Sequence, residues 1–507
     1  MQNPTIPTPR PQAMLLATGL TIALVVLTDR LLFDVAAGIN LFVVVLAIGL
    51  AILGVAWRRG RQRQGALGLV VVVVLALPLA EAPSLTGVGL SMLGLGVAAL
   101  MAVRLLPDRL ERVPATLLRF MLPAPATLAR DAVRLGPVLR QRLGRRTAPW
   151  LIAWIVPLGL GAVFAYLFAA ANPLIETMLS GVRLDSALSL LNPLRLLFWL
   201  IMAMGLWALL RPRLLRRLRR IAPAMAAPLP ESLWLGTTAV LRSLLVFNAL
   251  FAIETALDLT YLWGGVELPG GMSHADYAHR GAYPLIVTAL LAGAFVLAAM
   301  REQGAARDNR AIRILIYLFI AQNVLLCLSA MLRLELYVEA YSLTELRLAA
   351  GIWMGLVAVG LVLVLLRIWW RKSNGWLIAT NLLALVSVFY GTAMLDLNGQ
   401  IARFNVEHSL DVSKQGLPID IDYLASLGTS AIPAFDRLIP RLAVGSDRWS
   451  AAVEYRADLA GMAERGGLDW RSWNWRAARL DHYLAMHAVA SAPPNRQNGR
   501  MVTRGPA

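Results

Sequence analysis

Apolar runs of bilayer length recur along this chain, and arginine-rich loops separate them. "FVVVLAIGLAILGVAW" and "GLVAVGLVLVLL" are two such runs. A bilayer core asks for about 20 consecutive apolar residues in a helix. Eleven segments meet that need, near 13–28, 36–57, 65–82, 85–103, 150–170, 193–211, 234–258, 282–300, 311–332, 346–368 and 375–394. With 58% of 507 residues hydrophobic and 15% charged, a soluble globule has no interior large enough to hide them. The expected fold is all-α, a polytopic membrane helix bundle with a small C-terminal helical extramembrane domain.

The net charge of +18 points in another chain to nucleic acid, but here the cations sit between apolar runs. They follow the positive-inside pattern, and no nucleic-acid partner is expected. Starting the first helix inside places "RRGRQRQ" (58–64), 104–149, "RPRLLRRLRR" (211–220), 301–310 and "RIWWRKSNG" (367–375) in the cytoplasm. The 104–149 stretch carries ten arginines against Asp108, Glu111 and Asp131. Its amphipathic pieces suit the inner leaflet, where arginine meets anionic headgroups. The alternate loops carry acids and aromatics.

This gives a cytoplasmic tail at 1–12 and a first transmembrane group at 13–103. A basic cytoplasmic segment at 104–149 and a main transmembrane domain at 150–397 follow. A periplasmic helical domain at 398–490 and a disordered tail at 491–507 complete the chain. The protein is expected in a bacterial inner membrane, with a retained first helix and membrane lipids as partners. A single cysteine, Cys327, excludes an intrachain disulfide and a cysteine-rich metal site.

Polar residues gather at the outer level of this layout. Glu254 and Asp258, four apart, share a helix face near the outer boundary. The loop that follows holds "HADYAHRGAYP", with Asp276, His279 and Arg280. Arg333 ends the next outward helix. Ser342 and Glu345 have the spacing of a capping box, with Arg347 in the first turn behind it. A cation there needs a partner or an anion. Arg403 lies beyond the last span.

A polar outward pocket lined by these residues is expected. Its arginines suit an anionic headgroup, phosphate or carboxylate. His279, with Asp276 or Glu254, suits proton transfer. The spacing of His274, Asp276 and His279 is not that of H-E-x-x-H, and neither a metal nor another cofactor is expected. Deeper in the membrane, Arg242, Asn248, Gln322 and Asn323 extend a polar path or bond helices to one another.

"DLTYLWGGVELPGGMSHADYAHRGAYPLI", "YSLTELRLAAGIWM", "IARFNVEHS", "ANPLIE" and "DIDYLASLGTSAIPAF" resemble the pattern of a bacterial family of multi-pass inner-membrane proteins. That family is named only as a domain of unknown function. The resemblance covers most of the chain beyond about residue 20. It implies many membrane helices and no established activity. It adds Tyr277, Ala278, His279, Arg280, Gly281, Tyr283, Pro284, Thr344 and Arg347 as motif positions, with Tyr277 and Tyr283 among the candidate ligand-binding residues.

Three functions remain open. The chain binds or transports an anionic or amphiphilic ligand at the outer face. Alternatively, it is an envelope enzyme acting on a lipid-linked substrate. As a third reading, it is a scaffold or signalling protein that docks an envelope partner through its C-terminal domain.

Overall fold

The computed structural model describes residues 11–132, 192–212, 237–264, 291, 295, 309–414, 416–466 and 469–487. It divides into two compact units, 1–395 and 396–507.

In the first unit, α1 (Pro11–Leu32), α2 (Ile39–Arg58), α3 (Gln62–Glu81) and α4 (Leu85–Val103) follow one another through short turns. The short α5 (Val113–Met121) lies beyond α4, and residues 124–132 are again helical. Then come α6 (Pro193–Leu210), α7 (Thr237–Leu257), α8 (Arg310–Tyr341), α9 (Glu345–Trp369) and α10 (Asn374–Met394). Among the described residues, eight helices are long and apolar enough to cross a membrane. With the shorter apolar α6, they stand where nine of the expected spans fall. The segments 150–170 and 282–300 lie outside the described residues. Large apolar side chains such as Ile22, Leu50, Leu67, Val70 and Leu250 point outward, as lipid contact requires.

Glycine sets the spacing of α2, α3 and α4. A Cβ on Gly65 would stand 2.7 Å from the Ala56 Cβ, and one on Gly68 would stand 3.2 Å from the Ala98 backbone. Gly94, in "GLGVAAL", meets Leu75 and Val72 in the same way. Lipid supplies no hydrophobic drive between helices, so close backbone approach does the packing.

Side-chain contacts fix the relative directions. Asp29 meets Arg195 while Met14 packs with Trp207, so α1 and α6 are antiparallel. Asn248 reaches the Leu315 carbonyl while Asp258 meets Arg333, so α7 and α8 are parallel. Gly351 against Leu334, and Gly355 against Met331, make α8 and α9 antiparallel. Gly375, opening α10, packs on Glu111 just past the end of α4.

Several boundaries differ from the sequence expectation. The first helix continues to Leu32 instead of stopping near 28, because Asp29 is buried with an arginine partner. Helix α8 runs on to Tyr341, and its 32 residues make about 48 Å, longer than the bilayer core. Helix α7 continues as a π-helical turn, Asp258–Trp263. The capping box is not Ser342 with Glu345. Ser342 has φ +66°, outside cap geometry, and the Thr344 hydroxyl accepts from the Arg347 N–H at 3.3 Å instead.

The second unit holds α11 (Leu397–Glu407), α12 (Leu410–Ser413), α13 (Ile421–Ser426), α14 (Ile432–Leu438), α15 (Asp447–Gly466) and α16 (Trp475–His487). Its core is built on Ile401, Val406, Leu424, Ile432, Phe435, Leu438 and Ala452. The last helix begins at Trp475, and Trp470–Ser472 before it is a 3-10 turn organised by Asp469, whose side chain accepts from the Arg471 N–H.

Two ion pairs pin the second unit. Arg456 bonds Asp436 at 2.9 Å, and the Tyr483 hydroxyl donates to the same carboxylate at 3.0 Å. Burial, with Asp436 beside it, pushes the Tyr483 phenol up to about 12. Arg448 grips Asp411 with two bonds, 2.7 and 2.9 Å, and the Ile419 N–H adds a third. The Arg448 guanidinium, more than any other group, holds the Asp411 carboxyl below its ordinary value.

A carboxyl lowered on folding stabilises above its unfolded value of about 4, and that stability is lost as pH falls through the folded value. Arg448 is 40% exposed, so solvent screening limits the contribution to about 1 kcal/mol. Hydrogen exchange of the 409–421 peptide in the full chain, corrected for intrinsic rates, should therefore accelerate below about pH 4. In Arg448→Met that acid step should disappear; an unchanged step would assign it elsewhere.

Candidate functional site

The facing stripes of α7 and α8 bring three of the expected site residues together. Glu254 and Asp258 lie one turn apart on α7, and Arg333 reaches them from α8. Its guanidinium bonds Asp258 and reaches Glu254 at 3.3 Å, near the long limit of an N–H···O bond. The side chains of Arg333 and Asp258 are 3% and 1% exposed, whereas that of Glu254 is 38% exposed. Beside them the Trp263 indole N–H donates to Ser329 at 3.1 Å, which ties the π-helical turn to α8. The chemistry of this cluster is that of a buried ion group. Arg333 is committed to carboxylates and is not an open anion receptor.

Arg347 is held differently. Its guanidinium donates to the carbonyls of Tyr341, at 2.5 Å, and Ser342, and lies 4.4 Å above the centre of the Tyr337 ring. No carboxylate pairs with it among the described residues. It stands in the first turn of α9, where the backbone N–H groups already favour negative charge. Glu345 is exposed in the same turn. Arg403 belongs to the second unit, where it bonds Glu407 at 2.9 Å on an exposed helix face. Asp276, Tyr277, His279, Arg280 and Tyr283 lie outside the described residues, as does His274. Among the described residues, no three metal-ligating side chains gather.

The family model of a domain of unknown function (DUF4153) matches residues 13–438. The chain belongs to this family. DUF4153 membership agrees with the many apolar helices and carries no activity with it. No curated protein and no solved structure matches this DUF4153 chain.

A pair of sites absent from the sequence reading flanks α6. Near its start, Arg195 Nε and Trp199 Nε1 donate to Asp29 Oδ1 of α1 at 2.6 and 2.8 Å. At its end, Trp207 Nε1 and Arg211 donate to Asp131 Oδ2 at 3.2 and 3.0 Å. Each aspartate is thus held by an arginine and a tryptophan four residues apart on one helix. The signal in the sequence was the mirrored pair "RLLFW" and "WALLR" within a single span.

Proposed function

We propose that this DUF4153 protein binds or transports an anionic or amphiphilic ligand at the end of the bundle where α8 finishes and α9 begins. In this reading that end faces outward, the N-terminus is cytoplasmic and the second unit is periplasmic. The observation that carries it is Arg347, a cation held by carbonyls and an aromatic face in the first turn of a helix. Such a group retains its charge for an anion.

The distribution of arginine supports the orientation. Contacts bring the end of α4 and the start of α10 to one level, beside the basic turns at 58–61 and 370–373. Residues 131 and 192 stand at opposite ends of α6, and 263 and 310 belong to opposite ends of the parallel α7–α8 pair. The spans expected at 150–170 and 282–300 would keep the alternation.

A phosphatidylglycerol probe tests the reading. Purified full-length protein should retain this lipid in native mass spectrometry, and Arg347→Ala should retain at least about fivefold less, as loss of a charge-assisted bond implies. A cysteine at 345 (Glu345→Cys, with Cys327→Ser) should react with an impermeant maleimide added outside spheroplasts. Equal lipid retention by the variant, or labelling only after lysis, would defeat the ligand or the orientation respectively.

The second unit favours one other reading. Its Trp470, Trp473 and Trp475 are exposed, which suits docking of an envelope partner in a scaffold role. As an envelope enzyme acting on a lipid-linked substrate, the chain would need Glu254 released from Arg333.

A further inference from the structure

The second unit carries three indoles in one short stretch. Trp470, Trp473 and Trp475 are 63%, 40% and 49% exposed. The Trp473 N–H donates to the Trp470 carbonyl at 3.3 Å, closing the 3-10 turn. Residues three apart in such a turn eclipse one another, so these two side chains leave it on one side. The Trp473 and Trp475 rings meet edge to face, 6.3 Å apart. Together the three form one aromatic patch. Local bonds fix its backbone. Asp469 accepts from the Arg471 N–H at 3.0 Å, and Asn474 accepts from the Ala477 N–H at 2.9 Å, capping α16 between two tryptophans.

Chain connectivity ties this patch to a membrane boundary. The 21 residues of α10 rise about 32 Å, which matches a hydrocarbon core of about 30 Å. The last of them, Met394, therefore falls at an interface. Asp396 follows two residues later, no more than about 7 Å away even in extended chain. The headgroup layer adds about 5–8 Å on each side of the core, so Asp396 lies in it or at its edge. Asp396 opens the second unit, and within that unit Arg476 pairs with it at 3.6 Å. Arg476 adjoins Trp475 in the chain. The aromatic patch thus starts beside the point where the chain leaves lipid.

Charge decides between lipid and a protein partner. Arg471 is paired with Asp469 at 2.7 Å, and Arg476 with Asp396. The cations interleaved with the indoles are matched by carboxylates, so the patch is poor in the charge that would select an acidic partner. Exposed aromatic area of this kind marks an interaction surface. Tryptophan suits the headgroup level, where the ring is sheltered and the indole N–H stays among polar groups.

We propose that Trp470, Trp473 and Trp475 enter the headgroup layer of the leaflet in which α10 ends, and so fasten the second unit to lipid near its C-terminal end as α10 tethers it at its start. The contact is with zwitterionic lipid and needs no anionic headgroup. It uses neither Arg347 nor the direction in which the bundle faces, so it stands apart from the anionic-ligand reading. It competes with the scaffold reading for the same indoles.

A bimane label at residue 473 (Trp473→Cys, with Cys327→Ser) tests it in the full-length protein, held in phosphatidylcholine nanodiscs. Dibrominated phosphatidylcholine should quench the label at least about twofold, and iodide should quench it at least about threefold less than it quenches bimane on free cysteine, as residence in the headgroup layer implies. Lipid quenching should be the same with phosphatidylglycerol added, and in about 1 M sodium chloride, where the Debye length falls to about 3 Å. Trp470→Ser with Trp475→Ser should abolish it; Trp470→Ser alone, at the most exposed of the three, should weaken it and remains informative if the double variant does not fold. Free iodide access without lipid quenching would overturn the proposal. Quenching that persists in the tryptophan variants would overturn it too, because the tether alone would then hold the segment. Quenching that requires phosphatidylglycerol or is lost in salt would assign the contact to the arginines instead. Iodide access in nanodiscs that vanishes in native membrane vesicles would give the patch to a protein partner.

Discussion

Arg333→Met is expected to destabilise the protein by about 3–5 kcal/mol, the cost of leaving a buried charge without its partner. Asp258 is the group that loses its arginine, since both its side chain and that of Arg333 are almost wholly buried. Glu254 is the lesser loss. It is half-exposed and meets Arg333 at 3.3 Å, so Glu254→Gln should cost no more than about 1 kcal/mol. Arg333→Lys should fall between, because one ammonium cannot span two carboxylates as a planar guanidinium does. The decisive variant is the double one. Arg333→Met with Asp258→Leu removes the buried charges together, and such replacements are often neutral. It should recover most of the loss in unfolding assays of the full chain. A single Arg333→Met variant within about 1 kcal/mol of the parent would show that the cluster is not the buried ion group its geometry describes.

How much of this was legible beforehand depends on the range of the interaction. Span positions follow from local hydropathy, and nine of them recur as helices in the structure. The shared level of Glu254, Asp258 and Arg333 followed from helical rise alone, given two helices expected to run in the same direction. The capping residue did not follow. Ser342 and Thr344 are both good caps by type, and only the backbone, turning through φ +66° at Ser342, chooses between them. Gly94 packs on Leu75 of α3, and no local pattern announces which helix it meets. The Asp29–Arg195 pair was out of reach for a stronger reason. Its members are 166 residues apart, and nothing local couples a late acid in one span to an arginine at the start of another.

That pair leads to the second large expectation. Asp29→Leu should destabilise the first unit by about 3–5 kcal/mol, and Asp29→Asn by clearly less. Leucine leaves Arg195 without its carboxylate and Trp199 without its acceptor, in a place where lipid offers neither. Asparagine still accepts from one donor and loses only the charge. The stacking of Arg195 over Phe33, 5.1 Å from the ring centre, persists in both variants and so cannot account for the difference between them. Asp131 at the other end of α6 has the same donor pair, with Arg211 5.3 Å from the Trp207 ring. The two clamps share one helix and no side chain, so their effects on the α1–α6 contact should add only while α6 stays docked. Release at one end lets the helix pivot on the other. Asp29→Leu with Asp131→Leu should therefore lose more than the sum of the single losses, read as the exposure of α6 to cysteine labelling in the full-length protein. Simple additivity would mean that each aspartate holds only its own end, and that α6 is kept in place chiefly by the apolar contacts of Leu206 and Leu210.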